Sequence, residues 1–187
     1  MDIILNSFLL VFVGEIGDKT QLLALVLALR FKKPWTIMAG ILVATLLNHA
    51  LASWGGDWIS RQISPQVMSW ILGITFIVFA IWILFPDKEG EAGTSDRYGA
   101  FLTTTVAFFI AEMGDKTQLA TVALAAKYMN ITLVTIGTTL GMLASNALAI
   151  FFGEKLLSKI PMQWVRRFAS ILFFIFGIVI LMGIFNR

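Results

Sequence analysis

Apolar residues fill six stretches of the chain, near 3–31, 35–56, 67–85, 99–128, 131–153 and 164–185, and polar residues collect between them. Each stretch is long enough to cross a bilayer as a helix. Only helices and closed barrels satisfy the backbone in lipid, so the pattern predicts an all-α integral membrane protein with six transmembrane helices. Stretches one and four are unusual. At 1.5 Å per residue a run of about thirty residues spans ~45 Å, well beyond a hydrocarbon core of ~30 Å. They must tilt, protrude or break, and Gly14, Gly17 and Gly114 make a local break plausible. Such a break would free backbone carbonyls as cation ligands. One clearly polar run, Pro86 to Arg97, reads as a flexible connector between residues 1–85 and 98–187.

Inside the two long stretches stands the same run of residues. Glu15-Ile16-Gly17-Asp18-Lys19-Thr20-Gln21 returns as Glu112-Met113-Gly114-Asp115-Lys116-Thr117-Gln118. An ionisable residue at membrane depth costs about 2.5–3.5 kcal/mol on insertion scales, so its default reading is functional. On a continuous helix, Glu15 would share a face with Asp18 (i, i+3) and Lys19 (i, i+4). The two motifs together hold four acids and two lysines, a net −2 that one divalent cation would neutralise. A structural Glu–Lys lock would need neither the second acid nor the glycine between the acids.

The repetition extends beyond the motif. An offset of 97 (112 − 15) aligns Gly40 with Gly137, Ala50-Leu51-Ala52 with Ala147-Leu148-Ala149, and Gly56 with Gly153, without a gap. Residues 11–31 and 108–128 share ten identities in twenty-one positions. Each copy holds three apolar stretches, an odd number, so the second copy enters the membrane from the opposite side. The expectation is two inverted three-helix repeats, 1–85 and 98–187, joined by 86–97, with a site near the midplane. Positive charge orients them. Arg30, Lys32, Lys33, Lys88, Arg97, Lys155, Lys159, Arg166 and Arg167 fall on one side, and Arg61, Lys127 and Arg187 on the other. Nine against three places both termini outside the cytoplasm. Trp35, Trp54, Trp58, Trp82 and Trp164 fall near stretch ends, where interfacial anchors belong.

In stretch two, Gly40, Ala44, Asn48, Ala52 and Gly56 recur every fourth residue, matched in stretch five by Gly137, Gly141, Ser145, Ala149 and Gly153. Such a ridge lets helices approach closely; Asn48, Ser145 and the neighbouring Asn146 are also candidates to face an ion. Stretches three and six are bulky nearly all round and read as lipid-facing periphery. His49, the lone histidine, reads as a satisfied hydrogen-bonding residue. Met113 is either an apolar filler or a soft thioether facing a transition metal.

Composition narrows the chemistry. At 58% hydrophobic the chain is no ordinary soluble domain, and without cysteine it has no disulfide, thiolate metal site or thiol nucleophile. The basic balance sits at stretch ends, where membrane topology puts it, so nucleic acid is not an expected partner. Met1-Asp2 opens without a basic region, so no cleavable signal peptide is expected. Carboxylates, amides and hydroxyls are hard oxygen ligands suited to Mg²⁺, Ca²⁺ or Mn²⁺. A membrane metal hydrolase is disfavoured by the absence of H-E-x-x-H, and a passive channel would conduct without coupling.

The paired E-x-G-D-K-T-Q motifs, on stretches one and four of a duplicated chain, resemble the calcium/manganese cation exchangers, which include Golgi transporters and bacterial manganese exporters. The resemblance covers essentially the whole chain. It implies that Glu15, Asp18, Glu112 and Asp115 bind the metal and that transport is exchange, against protons. Gln21, Gln118, Thr20, Thr117, Asn48 and Asn146 are further candidate ligands; Lys19 and Lys116 balance charge or couple, since an ammonium has no lone pair. The chain's short length is similar to that of the bacterial manganese exporters, which implies Mn²⁺ export across a bacterial plasma membrane, with a Ca²⁺/H⁺ exchanger or a divalent-cation channel as alternatives. No enzyme activity and no resident cofactor are expected; the partners are the metal ion, protons and lipid, with a homo-oligomer left open.

Overall fold

The computed structural model describes residues 3–85, 99–157 and 162–185, and among these residues all regular secondary structure is helical. The expected connector 86–97 lies outside them. In order the helices are α1 (Ile3–Glu15), α2 (Lys19–Phe31), α3 (Pro34–Gln62), α4 (Pro65–Trp82), α5 (Gly99–Glu112), α6 (Lys116–Tyr128), α7 (Ile131–Leu157) and α8 (Met162–Phe185).

The two long apolar stretches are broken, and the sequence says why. Gly17 and Gly114 take φ of +80° and +76°, the left-handed region that costs glycine little and ends a right-handed helix. The aspartate that follows returns to extended backbone, Asp18 at φ −90°, ψ 171° and Asp115 at φ −78°, ψ 165°, as the N-cap of the next helix. Aspartate is a favoured residue there. Gly-Asp is thus a stop-and-restart signal. It also corrects the expectation of a shared helical face. Glu15 ends α1, and Asp18 and Lys19 open α2 after a turn, so i, i+3 and i, i+4 spacing does not relate them.

Four helices are individually long and apolar enough to cross a membrane: Pro34–Gln62, Pro65–Trp82, Ile131–Gly153 and Gln163–Gly183. Ile3–Glu15 and Gly99–Glu112 are shorter apolar helices. The protein is an integral membrane protein by these spans. The expected count of six single helices is corrected to this extent: the first and fourth stretches are each a pair of shorter helices. α3 runs on to Gln62, beyond the expected end at 56, so Trp54 and Trp58 lie within the helix, on its exposed side. α7 contains a non-helical residue at Gly153, φ +61°.

Three of the four paired helix starts recur at a constant interval. Lys19, Pro34 and Pro65 are matched by Lys116, Ile131 and Met162, each 97 later (116 − 19, 131 − 34, 162 − 65). The close contacts follow the same correspondence. A Cβ on Gly137 would stand 2.7 Å from the Ile4 carbonyl oxygen, and one on Gly141 2.6 Å from that of Phe8, so α7 lies against α1. A Cβ on Gly40 would meet Thr104 at 2.8 Å and the Phe101 carbonyl at 2.9 Å, so α3 lies against α5. The ridge of small residues is therefore a packing device, as read.

α4 and α8 run antiparallel, with Gly73 beside Gly177 and Leu181 and with Phe76, Phe79, Phe173 and Phe176 in one aromatic cluster. α4 and α8 are the least buried of the four long spans, in keeping with a lipid-facing periphery, although they also contribute to the core. One face of the pair is core, because Leu72, Phe76, Phe79 and Phe173 are buried, while Ile74, Val78, Ile171 and Phe174 remain exposed. Two ends of the bundle can be told apart. Asn6 donates to the Tyr128 hydroxyl, bringing the start of α1 to the end of α6. Trp35 packs on Phe151, bringing the start of α3 to the later part of α7. The first is called the Ile3 end and the second the Lys32 end.

Gly141→Ala should lower the melting temperature of detergent-solubilised protein, by an amount equivalent to about 1–3 kcal/mol of overpacking. Gly55→Ala, where an added Cβ meets nothing within 4 Å, should not. Equal melting temperatures for the two variants would show that the α1–α7 contact is not tight.

Candidate metal centre

The two breaks meet. Glu15, Glu112 and Asp115 each place a carboxylate oxygen within 4.8 Å of the others, and all three are buried. The glutamates are the last residues of α1 and α5, where helix dipoles end in partial negative charge. At about 5 Å and an effective dielectric constant of ~20, each pair of like charges repels by about 3 kcal/mol. The cluster therefore calls for positive charge, as a cation or as protons. Glu15 Oε1, Glu112 Oε1 and Asp115 Oδ2 are buried without a hydrogen-bond partner among the described residues. That is an arrangement of oxygen atoms suited to a hard divalent ion.

The second oxygens are held. Thr20 Oγ1 donates to Glu15 Oε2 at 2.7 Å, and Thr117 Oγ1 donates to Glu112 Oε2 at 3.2 Å. These hydroxyls orient the carboxylates. Both lysines are held by partners. Lys19 Nζ lies 3.4 Å from Asp115 Oδ1, joining the two motifs. Lys116 Nζ donates to the Phe85 carbonyl at 3.2 Å and lies over the Trp82 ring. Asp18 stands outside the group of three. It is half-buried and lines a cavity with Gly17, Lys116, Phe85 and Arg166. Of the four expected carboxylates, the structure thus gathers three and sets the fourth at a mouth.

The glutamines brace the breaks. Gln21 Oε1 accepts from the Gly17 N–H at 2.8 Å, and its Nε2 donates to the carbonyl (2.7 Å) and hydroxyl (2.8 Å) of Ser145. Gln118 Oε1 accepts from the Gly114 N–H at 2.6 Å, and its Nε2 donates to Asn48 Oδ1 at 3.4 Å. Both amides brace the glycine turns against the partner ridge, so in this arrangement they and Ser145 are supports. Asn48 Nδ2 also donates to the Phe109 carbonyl at 3.0 Å. Asn146 Nδ2 turns to the Met142 carbonyl at 3.0 Å, leaving its Oδ1 buried and unpartnered among the described residues.

Two further readings are corrected. His49 is not satisfied: both ring nitrogens are buried without a partner among the described residues. The nearby Thr135 hydroxyl serves the His49 backbone carbonyl and Ser53 instead. Met113 is 61% exposed, on the surface rather than among the buried carboxylates, so it is filler. Sequence reasoning passed over Asp57, buried near the end of α3 and paired with Arg61 at 2.8 Å. Its i, i+4 spacing to Arg61 was the available signal.

Helices that cross a membrane and bring buried acids from two matched breaks together define a class of integral membrane cation transporter. The sequence signature of the divalent cation/proton antiporter family GDT1 matches residues 3–91 and 100–187. The chain belongs to this family, one of transporters and not of enzymes. It is 44% identical over 180 residues to a Vibrio cholerae protein named "Putative manganese exporter", with 95% of this chain and 90% of that one covered. It is 30% identical over 217 residues to Arabidopsis thaliana GDT1-like protein 4, covering 92% of each chain. Against GDT1-like protein 3 of Oryza sativa subsp. indica it is 27% identical over 204 residues, covering 95% of this chain and 72% of the relative. No solved structure matches the chain.

Gln21→Leu should remove the acceptor of the Gly17 N–H and the donor to Ser145, at about 1–3 kcal/mol for the groups left unpaired. A fall in melting temperature together with weaker Mn²⁺ binding is expected. Unchanged melting would mean the turn holds without this brace.

Proposed function

We propose that the chain exports Mn²⁺ across a bacterial plasma membrane in exchange for protons, by alternating access around the carboxylates of the two breaks. The observation that carries this reading is the meeting of Glu15, Glu112 and Asp115 within 4.8 Å, acids of both motif copies, in a buried place. The family supplies divalent cation and proton as the exchanged species. The name of the Vibrio cholerae relative supports manganese as the metal and export as the direction.

In this reading α1 with α2 and α5 with α6 each complete a discontinuous span. Six spans then form two inverted three-helix repeats, 1–85 and 98–187. The 97-residue interval between helix starts supports the duplication. Both termini lie outside the cytoplasm. Among the described residues Arg30, Lys32, Lys33, Arg166 and Arg167 belong to the Lys32 end, against Arg61 and Lys127 at the Ile3 end, and cytoplasmic segments carry the excess of basic residues.

Mn²⁺ takes oxygens of Glu15, Glu112 and Asp115, and Asp18 joins on entry or exit. Thr20 and Thr117 keep the glutamates aimed inward. Lys19, beside Asp115, supplies one fixed positive charge, so the site never carries the full charge of its acids. When the ion leaves, protons take its place on the carboxylates, and the carrier returns near neutral. Rebinding a divalent ion expels them, as metal ligation does generally.

Binding of Mn²⁺ to purified protein should tighten from pH 6 to pH 8, by about tenfold per pH unit for each proton released on binding. Calorimetry in two buffers of different ionisation enthalpy counts those protons. An affinity indifferent to pH, with no release, would leave a uniporter or channel. Glu15→Gln and Asp115→Asn should each abolish Mn²⁺/H⁺ exchange in proteoliposomes while the protein still inserts. Parallel runs with Ca²⁺ test the metal.

Lys19→Met should shift Mn²⁺ affinity and its pH dependence together without loss of the fold. A variant with both unaltered would remove Lys19 from the charge balance.

A further inference from the structure

The seam between α3 and α7 is polar over one half of its length and apolar over the other. On α3, Thr45, His49, Ser53 and Asp57 recur every fourth residue and all are buried; Asp57 pairs with the exposed Arg61 near the helix end. On α7, Thr135 faces them, its hydroxyl 3.0 Å from Ser53 Oγ and 3.5 Å from the His49 carbonyl. Thr139, Met142 and Asn146 follow at i+4, i+7 and i+11 along the same stripe, and all are buried. These positions run from the Ile3 end, where α3 finishes and α7 begins, to the middle of the bundle.

The interval of 97 carries the same positions to the Lys32 end with different residues. Ser53 answers to Ile150 and Thr135 to Met38, and both apolar residues pack against one cluster with Ile37, Ile41 and Phe108. Trp35 on Phe151 covers that end. The hydroxyl pair is therefore not a requirement of α3–α7 packing, since its own counterparts pack without one. The polar half also has more hydrogen-bonding atoms than bonds. Thr45 Oγ1, both ring nitrogens of His49, Thr139 Oγ1 and Asn146 Oδ1 are buried without a partner among the described residues. Ordered water is what meets such groups in protein interiors, one molecule bridging two to four of them. The inner end of the stripe adjoins both breaks. Asn146 follows Ser145, which holds Gln21, and His49 follows Asn48, which holds Gln118.

We propose that the Ile3-end half of the α3–α7 seam is a water-bearing proton path to the carboxylates. Its one carboxylate, Asp57, is already paired, so the path offers a divalent ion no free acid, whereas hydroxyls, imidazole and water can pass protons. Each hydroxyl, and the neutral His49 ring, accepts a proton on a lone pair as it releases its own to the next water. One proton enters, one leaves at the far end, and no side chain changes charge. The Ile3 end is the outer one in the orientation proposed above, the side from which an exporter draws protons. The apolar counterparts at the Lys32 end provide no such chain, so this path serves one side only.

The inference rests on the transport reading, and two measurements keep the two apart. Ser53→Ala combined with Thr135→Val removes both hydroxyls with little change of shape. In proteoliposomes it should slow Mn²⁺/H⁺ exchange fivefold or more, while Mn²⁺/Mn²⁺ exchange and the Kd for Mn²⁺ stay within twofold. Exchange of Mn²⁺ for Mn²⁺ moves no net proton, so a merely structural defect would depress both fluxes. Thr135→Ser should stay close to the parent. Equal loss of both fluxes in the double variant, or loss of neither, would overturn the path. The second measurement needs no transport. Radicals formed from water by an X-ray pulse oxidise the side chains that water touches, methionine among the most readily. Met142 lies on the stripe, with Asn146 Nδ2 3.2 Å from its sulfur. In protein held in lipid nanodiscs, Met142 should oxidise at least threefold faster than Met68, which is buried in the apolar core. Equal protection of the two would overturn the hydrated seam, whatever the protein carries. A parent that oxidised in this pattern but showed no Mn²⁺/H⁺ flux would count against the function and leave the seam standing.

Discussion

Three carboxylates within 4.8 Å of one another, buried in a membrane protein, repel too strongly to be held by chance packing. The surrounding architecture serves to keep them there. Helices alone would not do it: a continuous helix carries its side chains outward on a fixed spiral, and its backbone ends far from the midplane. Breaking the helix inside the apolar layer brings the C-terminal ends of α1 and α5 to the site with Glu15 and Glu112 as their last residues. A broken helix in lipid leaves amide groups that water cannot satisfy. The Gln21 and Gln118 amides answer that need at Gly17 and Gly114, and they do so by reaching across to the ridges on α7 and α3. The close approach of α7 to α1 and of α3 to α5, possible because Gly137, Gly141 and Gly40 carry no Cβ, keeps those ridges within reach. Charge, backbone break and helix packing are thus one connected structure.

Much of this could be read from residues alone, and the reason is that lipid allows few alternatives. Hydropathy located the helices because a membrane span must be long and apolar. The overlength of the first and fourth stretches, with glycine beside the acids, pointed to the break. What could not be read was where each polar side chain would spend its hydrogen bonds. Gln21 and Gln118 looked like ligands since carbonyl oxygens suit hard ions; once the helix breaks, the glycine amides compete for the same oxygens and hold them. Asp18 and Asp115 looked equivalent, yet one caps α2 at a cavity and the other is buried beside Lys19. Spacing rules written for continuous helices failed at the one place where the helix stops.

The ridge shows how the interval of 97 carries structural meaning that motif spacing does not. Gln21 bonds Ser145 and Gln118 bonds Asn48, and Ser145 and Asn48 are themselves counterparts (145 − 48). Each break is therefore braced by the other copy, so neither copy can hold its own acids in place. This explains why the polar members of the ridge differ in chemistry, a serine in one and an asparagine in the other, while keeping the same register. Only a group able to accept from the glutamine amide is required there.

The two copies of the motif, alike except at residues 16 and 113, nonetheless occupy unlike settings. Lys116 is buried over the Trp82 ring with the Phe85 carbonyl among its partners, whereas Lys19, beside the opposite aspartate, is half-buried. One aspartate faces a cavity and the other does not. Since the residues are the same, the settings come from how the surrounding helices are placed, and each copy is chemically able to adopt the setting of the other. A carrier built from inverted repeats needs that property, because its two states differ by an exchange of roles between equivalent halves. In such a carrier the energies of the two states are close by construction, and small differences between counterparts decide which is populated. Asn48 against Ser145 and His49 against Asn146 are unlike pairs in the buried polar interior, so under the proposed exchange these departures from the repeat, and not the shared motif, are where the two states would differ in energy.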